Sequence, residues 1–98
     1  MTDRLKGKVC LITGGGRGLG KAIALAFAKE GAKAVAISYV SNEKYAKDTC
    51  KQLAELGTNA YMTSVEVTNR ESIKAWVNHI IDTEGHIDVL VNNAGINK

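Results

Sequence analysis

Short apolar runs and amphipathic stretches alternate along the chain, and each switch is marked by a glycine or a residue able to cap a helix. This alternation predicts a β-α-β-α-β-α-β order. Val9 to Thr13 (V-C-L-I-T) is a continuous apolar run ending in glycines, the pattern of a strand buried on both faces. Gly18 to Glu30 carries Leu19, Ile23, Ala26 and Phe27 at helical spacing, with Gly31 as the stop. Ala34 to Tyr39 is the second strand. Ser41 or Asn42 can cap the next helix, which carries Tyr45, Thr49, Leu53 and Leu56 on one side and ends at Gly57. Ala60 to Val67 is the third strand. Thr68 and Glu71 have the spacing of a capping box, and the stripe Ile73, Trp76, Val77, Ile80, Ile81 then predicts a helix closed by Gly85. Ile87 to Val91 is a fourth buried strand, running into Asn92, Asn93, Ala94 and Gly95.

Right-handed crossovers place such strands parallel in one sheet with helices on both faces, an α/β three-layer αβα arrangement. The order expected for this succession of elements is 3-2-1-4. No linker or repeat divides the chain, so residues 1–98 are read as one unit. The fourth strand then lies at an edge although its sequence is that of an interior strand, with only Asp88 to discourage further pairing. More chain, another subunit or a neighbour in an aggregate is expected to cover it.

Composition narrows the function classes. The chain is 45% hydrophobic and 23% charged and has no proline, which excludes collagen-like and strongly charged disordered readings. Its net charge of +3, from 13 basic and 10 acidic residues, is spread without a run of like charge, so neither a nucleic-acid nor a membrane partner is indicated. The aromatics Phe27, Tyr39, Tyr45, Tyr61 and Trp76 are not interleaved with Arg or Lys as a base-stacking surface requires; Phe27 and Trp76 are core candidates. Cys10 and Cys50 lack a C-x-x-C spacing and no run of 18 apolar residues occurs, so a non-exported, cytoplasmic protein with reduced thiols is expected. His79 and His86 stand outside any metal-ligand cluster and are assigned solvent-facing or packing roles. Asp88 is expected to satisfy nearby backbone donors.

The candidate chemistry lies at Thr13 to Gly20, T-G-G-G-R-G-L-G, between the first strand and the first helix. Glycines there let backbone approach a phosphate closely, and the N–H groups and dipole of the following helix favour negative charge. The spacing is T-G-x-x-x-G-x-G; a G-x-G-x-x-G fingerprint is absent at every register. A near match to a P-loop, from Gly15 to Gly20-Lys21, is followed by Ala22 where a hydroxyl would hold Mg²⁺. The alternative to both is a glycine-rich turn with no ligand.

Thr13-Gly14-x-x-x-Gly18-x-Gly20 after strand one, together with Asn92-Asn93-Ala94-Gly95 after strand four, resembles the short-chain dehydrogenase/reductase family. The resemblance covers the whole chain but only the N-terminal portion of the family pattern, and it implies part of a Rossmann-type fold. Gly18 to Ala24 and Ile87 to Val91 look most like bacterial 3-oxoacyl-[acyl-carrier-protein] reductases, in segments that sugar and polyol dehydrogenases of the family share. It implies that Gly14, Gly15, Gly16, Arg17, Gly18 and Leu19, with Gly20 in the same motif, wrap the pyrophosphate and adenine ribose of a dinucleotide. Asn93, Ala94 and Gly95 would line the nicotinamide-side ribose, and Glu66-Val67, where relatives carry Asp-Val or Asn-Val, would meet the adenine.

An acidic side chain at the end of strand two accepts from the 2′-OH of NAD and repels the 2′-phosphate of NADP. The position that carries it in NAD-preferring relatives is Ser38, followed by Tyr39, both uncharged, while Arg17 supplies a guanidinium able to pair with a phosphate. NADP(H) is therefore the expected cofactor, with NAD as the alternative. Glu43 could serve the ribose in that alternative, but its place in a helix's first turn suits the helix dipole.

Family catalysis uses a Tyr-x-x-x-Lys pair with a Ser and an Asn. The residues four after Tyr39, Tyr45 and Tyr61 are Glu43, Thr49 and Val65, so no catalytic residue is assigned and this chain alone is expected to be inactive. The whole-enzyme reaction implied is hydride transfer between the nicotinamide and a carbonyl, such as a 3-oxoacyl thioester. Two readings stay open beside it. One is a non-catalytic nucleotide-binding or assembly module, homo-oligomeric or paired through strand four; the other is an NAD-dependent sugar or polyol dehydrogenase.

Overall fold

The computed structural model describes residues 4–16, 18–66 and 68–93. Seven elements follow one another: β1 (Val9–Ile12), α1 (Gly18–Lys29), β2 (Ala34–Tyr39), α2 (Glu43–Glu55), β3 (Asn59–Ser64), α3 (Arg70–Glu84) and β4 (Val89–Val91). The strands form one four-stranded parallel sheet in the order β3-β2-β1-β4, as the crossover rule predicts. In the centre of the sheet, Ile12 of β1 stands between Ile37 of β2 and Val91 of β4.

Strand alternation sorts the core into two layers. Cys10 and Ile12 point to one face of the sheet and Val9 and Leu11 to the other, and all four have 0% exposure. Val35 and Ile37 join the first layer, against Ala24 and Ala28 of α1 and Ala46 and Leu53 of α2. Ala34 and Ala36 join the second, under Trp76 and Ile80 of α3. A strand covered on both sides has no polar position to alternate with, which is why β1 reads as an unbroken apolar run.

Several boundaries and faces differ from expectation. In α2 the buried positions are Ala46, Thr49 and Leu53, whereas Tyr45 and Leu56 are 47% and 43% exposed. Steps of three and four residues keep positions 46, 49 and 53 on one side, while Tyr45 is rotated about 100° from Ala46. Asn42 occupies the N-cap position of α2, but its side chain makes no capping bond. The N-cap of α3 is Asn69 and not Thr68. Asn69 Oδ1 accepts from the amides of Glu71 at 2.9 Å and Ser72 at 3.2 Å, and the Thr68 hydroxyl donates to Glu66 at 3.2 Å instead.

β3 ends at Ser64 because its ladder partner β2 ends opposite it at Tyr39. Val65 is buried beyond the strand at 1% exposure, and Val67 lies outside the described residues. β4 is confined to Val89–Val91 and is half-exposed, with Leu90 at 57%. Ahead of it, Asp88 and Val9 exchange two bonds: the Asp88 amide donates to the Val9 carbonyl, and the Val9 amide donates to the Asp88 carboxylate, each at 2.9 Å. The same carboxylate lies 2.9 Å from Nε2 of His86, whose side chain is otherwise half-exposed. Phe27 is half-buried, packed against the first layer without entering it fully.

Candidate functional site

The loop from Thr13 to α1 leaves the carboxyl end of β1, at the centre of the sheet. Its first glycine, Gly14, has φ +68°, a left-handed backbone that a side chain disfavours. Neighbouring elements then fix the loop one backbone group at a time. The Gly14 amide donates to the Ser38 hydroxyl at 3.1 Å and the Gly15 amide to the Ser38 carbonyl at 3.2 Å, which ties the loop to β2. Asn93, just past β4, donates its side-chain amide to the Gly14 carbonyl at 3.2 Å. The Thr49 hydroxyl of α2 donates to the Gly16 carbonyl at 2.8 Å in a buried setting. Thr13 is held from the β4 side as well, its amide donating to the Val91 carbonyl at 3.0 Å and its hydroxyl to Asn92 Oδ1 at 3.1 Å.

The inward side of this loop has no spare room. A Cβ added at Gly15 would run into the Ile37 side chain, and one at Gly16 would lie 3.3 Å from the Ala46 amide nitrogen. At Gly20 it would overlap the Gly14 carbonyl and come within 2.7 Å of Asn93 Nδ2. The outward side is the reverse. Gly18 at the start of α1 is exposed, nothing lies within 4 Å of where its Cβ would be, and Leu19 is 59% exposed. Glycines packed against Ile37, Ala46 and Asn93 on the inner side, with an exposed Gly18 at the positive end of a helix, have the shape and polarity to receive a diphosphate.

The structure brings Gly14, Gly15, Ser38 and Asn93 into one bonded cluster, with Gly20 packed against Gly14 and Asn93 and Gly16 tied separately to Thr49. Ser38, expected beside the adenine-side ribose, is 1% exposed and turned under the loop. Tyr39 is half-buried and packs against the first core layer. Glu66 is exposed, its carboxylate accepting from Thr68. Arg17, Val67, Ala94 and Gly95 lie outside the described residues. Of the asparagine pair, Asn93 donates to a backbone carbonyl, while Asn92 accepts from a side chain. In the sequence Thr49 stands only as part of a helical stripe; a hydroxyl on the buried side of a helix is the signal of its role.

Charge around the site is modest. The Lys21 ammonium bonds Asp48 at 3.2 Å, joining α1 to α2, and holds that carboxyl below its ordinary value. Burial, reinforced by the Asp88 charge, pushes the Cys10 thiol of β1 up to about 11. Among the described residues no group of three or more His, Cys, Asp or Glu could hold a metal ion, and no helix is long and apolar enough to cross a membrane.

A family model described as short chain dehydrogenase matches residues 8–98. The chain belongs to the short-chain dehydrogenase/reductase family. It is 44% identical over 95 residues to the 3-oxoacyl-[acyl-carrier-protein] reductase FabG of Thermotoga maritima, covering 97% of this chain and 38% of that protein. It is 35% identical over 91 residues to the short-chain dehydrogenase/reductase homolog YusS of Bacillus subtilis, covering 93% of this chain and 83% of that one. A short chain dehydrogenase from Burkholderia cenocepacia, solved in complex with NADP, superposes with a TM-score of 0.91 at 37% identity, over 97% of this chain and 38% of the other. The chain thus spans well under half the length of the full-size reductases it matches and most of the length of YusS. The shared fold is the Rossmann-type αβα sandwich of the family.

Proposed function

We propose that these residues form the NADP(H)-binding part of a short-chain dehydrogenase/reductase whose whole-enzyme reaction is hydride transfer between the nicotinamide and a carbonyl, such as a 3-oxoacyl thioester. The observation that carries this reading is the glycine loop, pinned from within by Ser38, Thr49 and Asn93 and exposed at Gly18, where α1 begins. The likeness to a structure in complex with NADP and to a 3-oxoacyl reductase supports it.

In this reading Gly14 to Gly20 hold the diphosphate, with Leu19 against the adenine-side ribose. Glu66 and Val67 flank the adenine, and Asn93, Ala94 and Gly95 lie along the nicotinamide-side ribose. When bound, the reduced dinucleotide supplies the hydride for the carbonyl carbon. The residues of this chain bind and orient it; with no Tyr-x-x-x-Lys among the 98 residues, binding without turnover is expected of this polypeptide. NADP is favoured over NAD on charge, because Ser38 and Tyr39 bring no carboxylate to the end of β2 and Arg17 brings a guanidinium.

Titrating the chain with NADPH and NADH tests the proposal. NADPH is expected to bind about tenfold more tightly, near 1.4 kcal/mol. Tighter NADH overturns the cofactor choice, and indifference to both overturns the reading as a whole. A second reading, an assembly module, draws on the exposed Leu90 of the edge strand β4. It requires a defined dimer in sedimentation that Leu90→Lys dissociates.

A further inference from the structure

Thr49 is the polar member of the buried face of α2, where its companions are Ala46 and Leu53. It has 0% exposure, beside the layer built from Ile12, Ala24, Ile37 and Leu53. A hydroxyl buried there costs free energy unless it is bonded, and a valine would fill the same space without that cost. The bond that Thr49 makes crosses to the glycine loop. It donates to the Gly16 carbonyl at 2.8 Å, a shorter bond than those by which Ser38 and Asn93 hold the loop at 3.1 to 3.2 Å. Neighbours on α2 fix the helix at the same place: the Ala46 nitrogen lies 3.3 Å from where a Cβ on Gly16 would be, and Asp48 bonds Lys21 of α1 at 3.2 Å.

The direction of this carbonyl matters because its oxygen carries partial negative charge. Glycine has no side chain to bias the rotation of its backbone, so the run Gly14-Gly15-Gly16 does not by itself choose which side the Gly16 oxygen faces. Turned outward, the oxygen would oppose a diphosphate. Turned inward, it leaves the positive end of α1 unopposed.

We propose that Thr49 is a positioning residue of the dinucleotide site, its hydroxyl keeping the Gly16 carbonyl on the inner side of the loop and so away from the diphosphate. This rests on the reading of the loop as a diphosphate site. Thr49 touches no ligand; it acts through Gly16, and α2 thereby contributes to cofactor affinity from a fully buried position.

The full chain and three variants are titrated with whichever of NADPH and NADH the parent binds more tightly, under conditions in which urea unfolding shows each to be fully folded. Thr49→Val keeps the shape and removes the hydroxyl. It is expected to weaken the dinucleotide by about tenfold, the worth of one hydrogen bond, and to move the Gly16 carbonyl ¹³C signal. Thr49→Ser restores the donor and is expected to return both affinity and signal to those of the parent. Ile80→Val lowers stability from the opposite face of the sheet, under α3, and is expected to keep the parent's affinity. Equal affinity in Thr49→Val and the parent overturns the proposal and leaves the diphosphate reading standing. Failure of Thr49→Ser to rescue, or an equal loss in Ile80→Val, also overturns it, since affinity would then follow packing or stability and not the hydroxyl. A parent indifferent to both dinucleotides overturns the diphosphate reading and this inference with it. Should Thr49→Val fail to fold, a crystal structure of the parent with the dinucleotide decides: a Gly16 carbonyl still bonded to Thr49 supports the proposal, and one turned toward the diphosphate overturns it.

Discussion

The Ser38 hydroxyl accepts the Gly14 amide at 3.1 Å, so the residue at the end of β2 is a strut of the glycine loop. Its side chain is committed inward, and its backbone carbonyl takes the next amide, that of Gly15. The left-handed turn at Gly14 is thereby held by β2 from below and by Asn93 from the β4 side. Pre-formed backbone of this kind needs little ordering when a ligand arrives, and the ordering avoided appears as affinity.

Ser38→Ala leaves the Gly14 amide without its acceptor in a setting only 1% exposed at residue 38. A loss of about 1–3 kcal/mol in stability is expected. If the loop binds NADPH as proposed, affinity falls with it, by about tenfold. Urea unfolding and a cofactor titration on the same variant check both. Unchanged stability would show that the hydroxyl does not hold the loop.

Gly20 and Gly18 separate crowding from backbone conformation. At Gly20 a methyl group would overlap the Gly14 carbonyl and press on Asn93 Nδ2, which are the two partners of one of the loop's own bonds. Gly20→Ala is expected to cost about 1–3 kcal/mol by overpacking and to weaken dinucleotide binding at least tenfold. Gly18 has φ +61° but open space around it, so Gly18→Ala meets only the left-handed penalty of about 1–2 kcal/mol. Crystal structures or amide shifts of the two variants are expected to show displacement of Gly14 in the first alone.

The architecture was legible in the sequence because burial leaves a period. The apolar run Val9 to Ile12, the stripe through Trp76 and Ile80, and the glycines at 31, 57 and 85 mark elements without reference to anything distant. Individual bonds were not legible, since they join residues far apart in the chain. Thr49 reaches Gly16 across 33 positions and Asn93 reaches Gly14 across 79. The apolar run places Ser38 at the end of β2, but its inward rotation depends on the loop geometry above it. Even a local rule slipped by one residue at α3, where Thr68 and Asn69 are both able caps and the backbone chose the second. Asn69→Ala is accordingly expected to cost about 1 kcal/mol and Thr68→Ala to stay within about 0.5 kcal/mol of the parent, measured by urea unfolding.

Glu84 makes the chain's stability depend on pH at both ends. Its side chain is 4% exposed at the end of α3, where it accepts from Tyr61 at 2.5 Å and Asn59 at 3.2 Å and pairs with Lys33 at 3.3 Å. Burial alone would raise its carboxyl, but the bonds from Tyr61, Lys33 and Asn59 and the Lys33 charge outweigh it, so the group sits below its ordinary value of 4.5. The unfolded chain then binds the proton more readily than the folded one. This contribution is complete above pH 4.5 and is lost as pH falls through the lower folded value. At the alkaline end the Glu84 bond, then burial and the Glu84 charge, raise Tyr61 above its ordinary 10.0. Its share is complete below pH 10.0 and is lost as pH rises through the higher folded value. Urea midpoints measured across pH are therefore expected to decline at both extremes in the parent. Tyr61→Phe is expected to flatten the alkaline decline and lessen the acid one, and Glu84→Gln to flatten the acid decline. An acid limb identical in Glu84→Gln and the parent would show that this carboxylate carries none of the pH dependence.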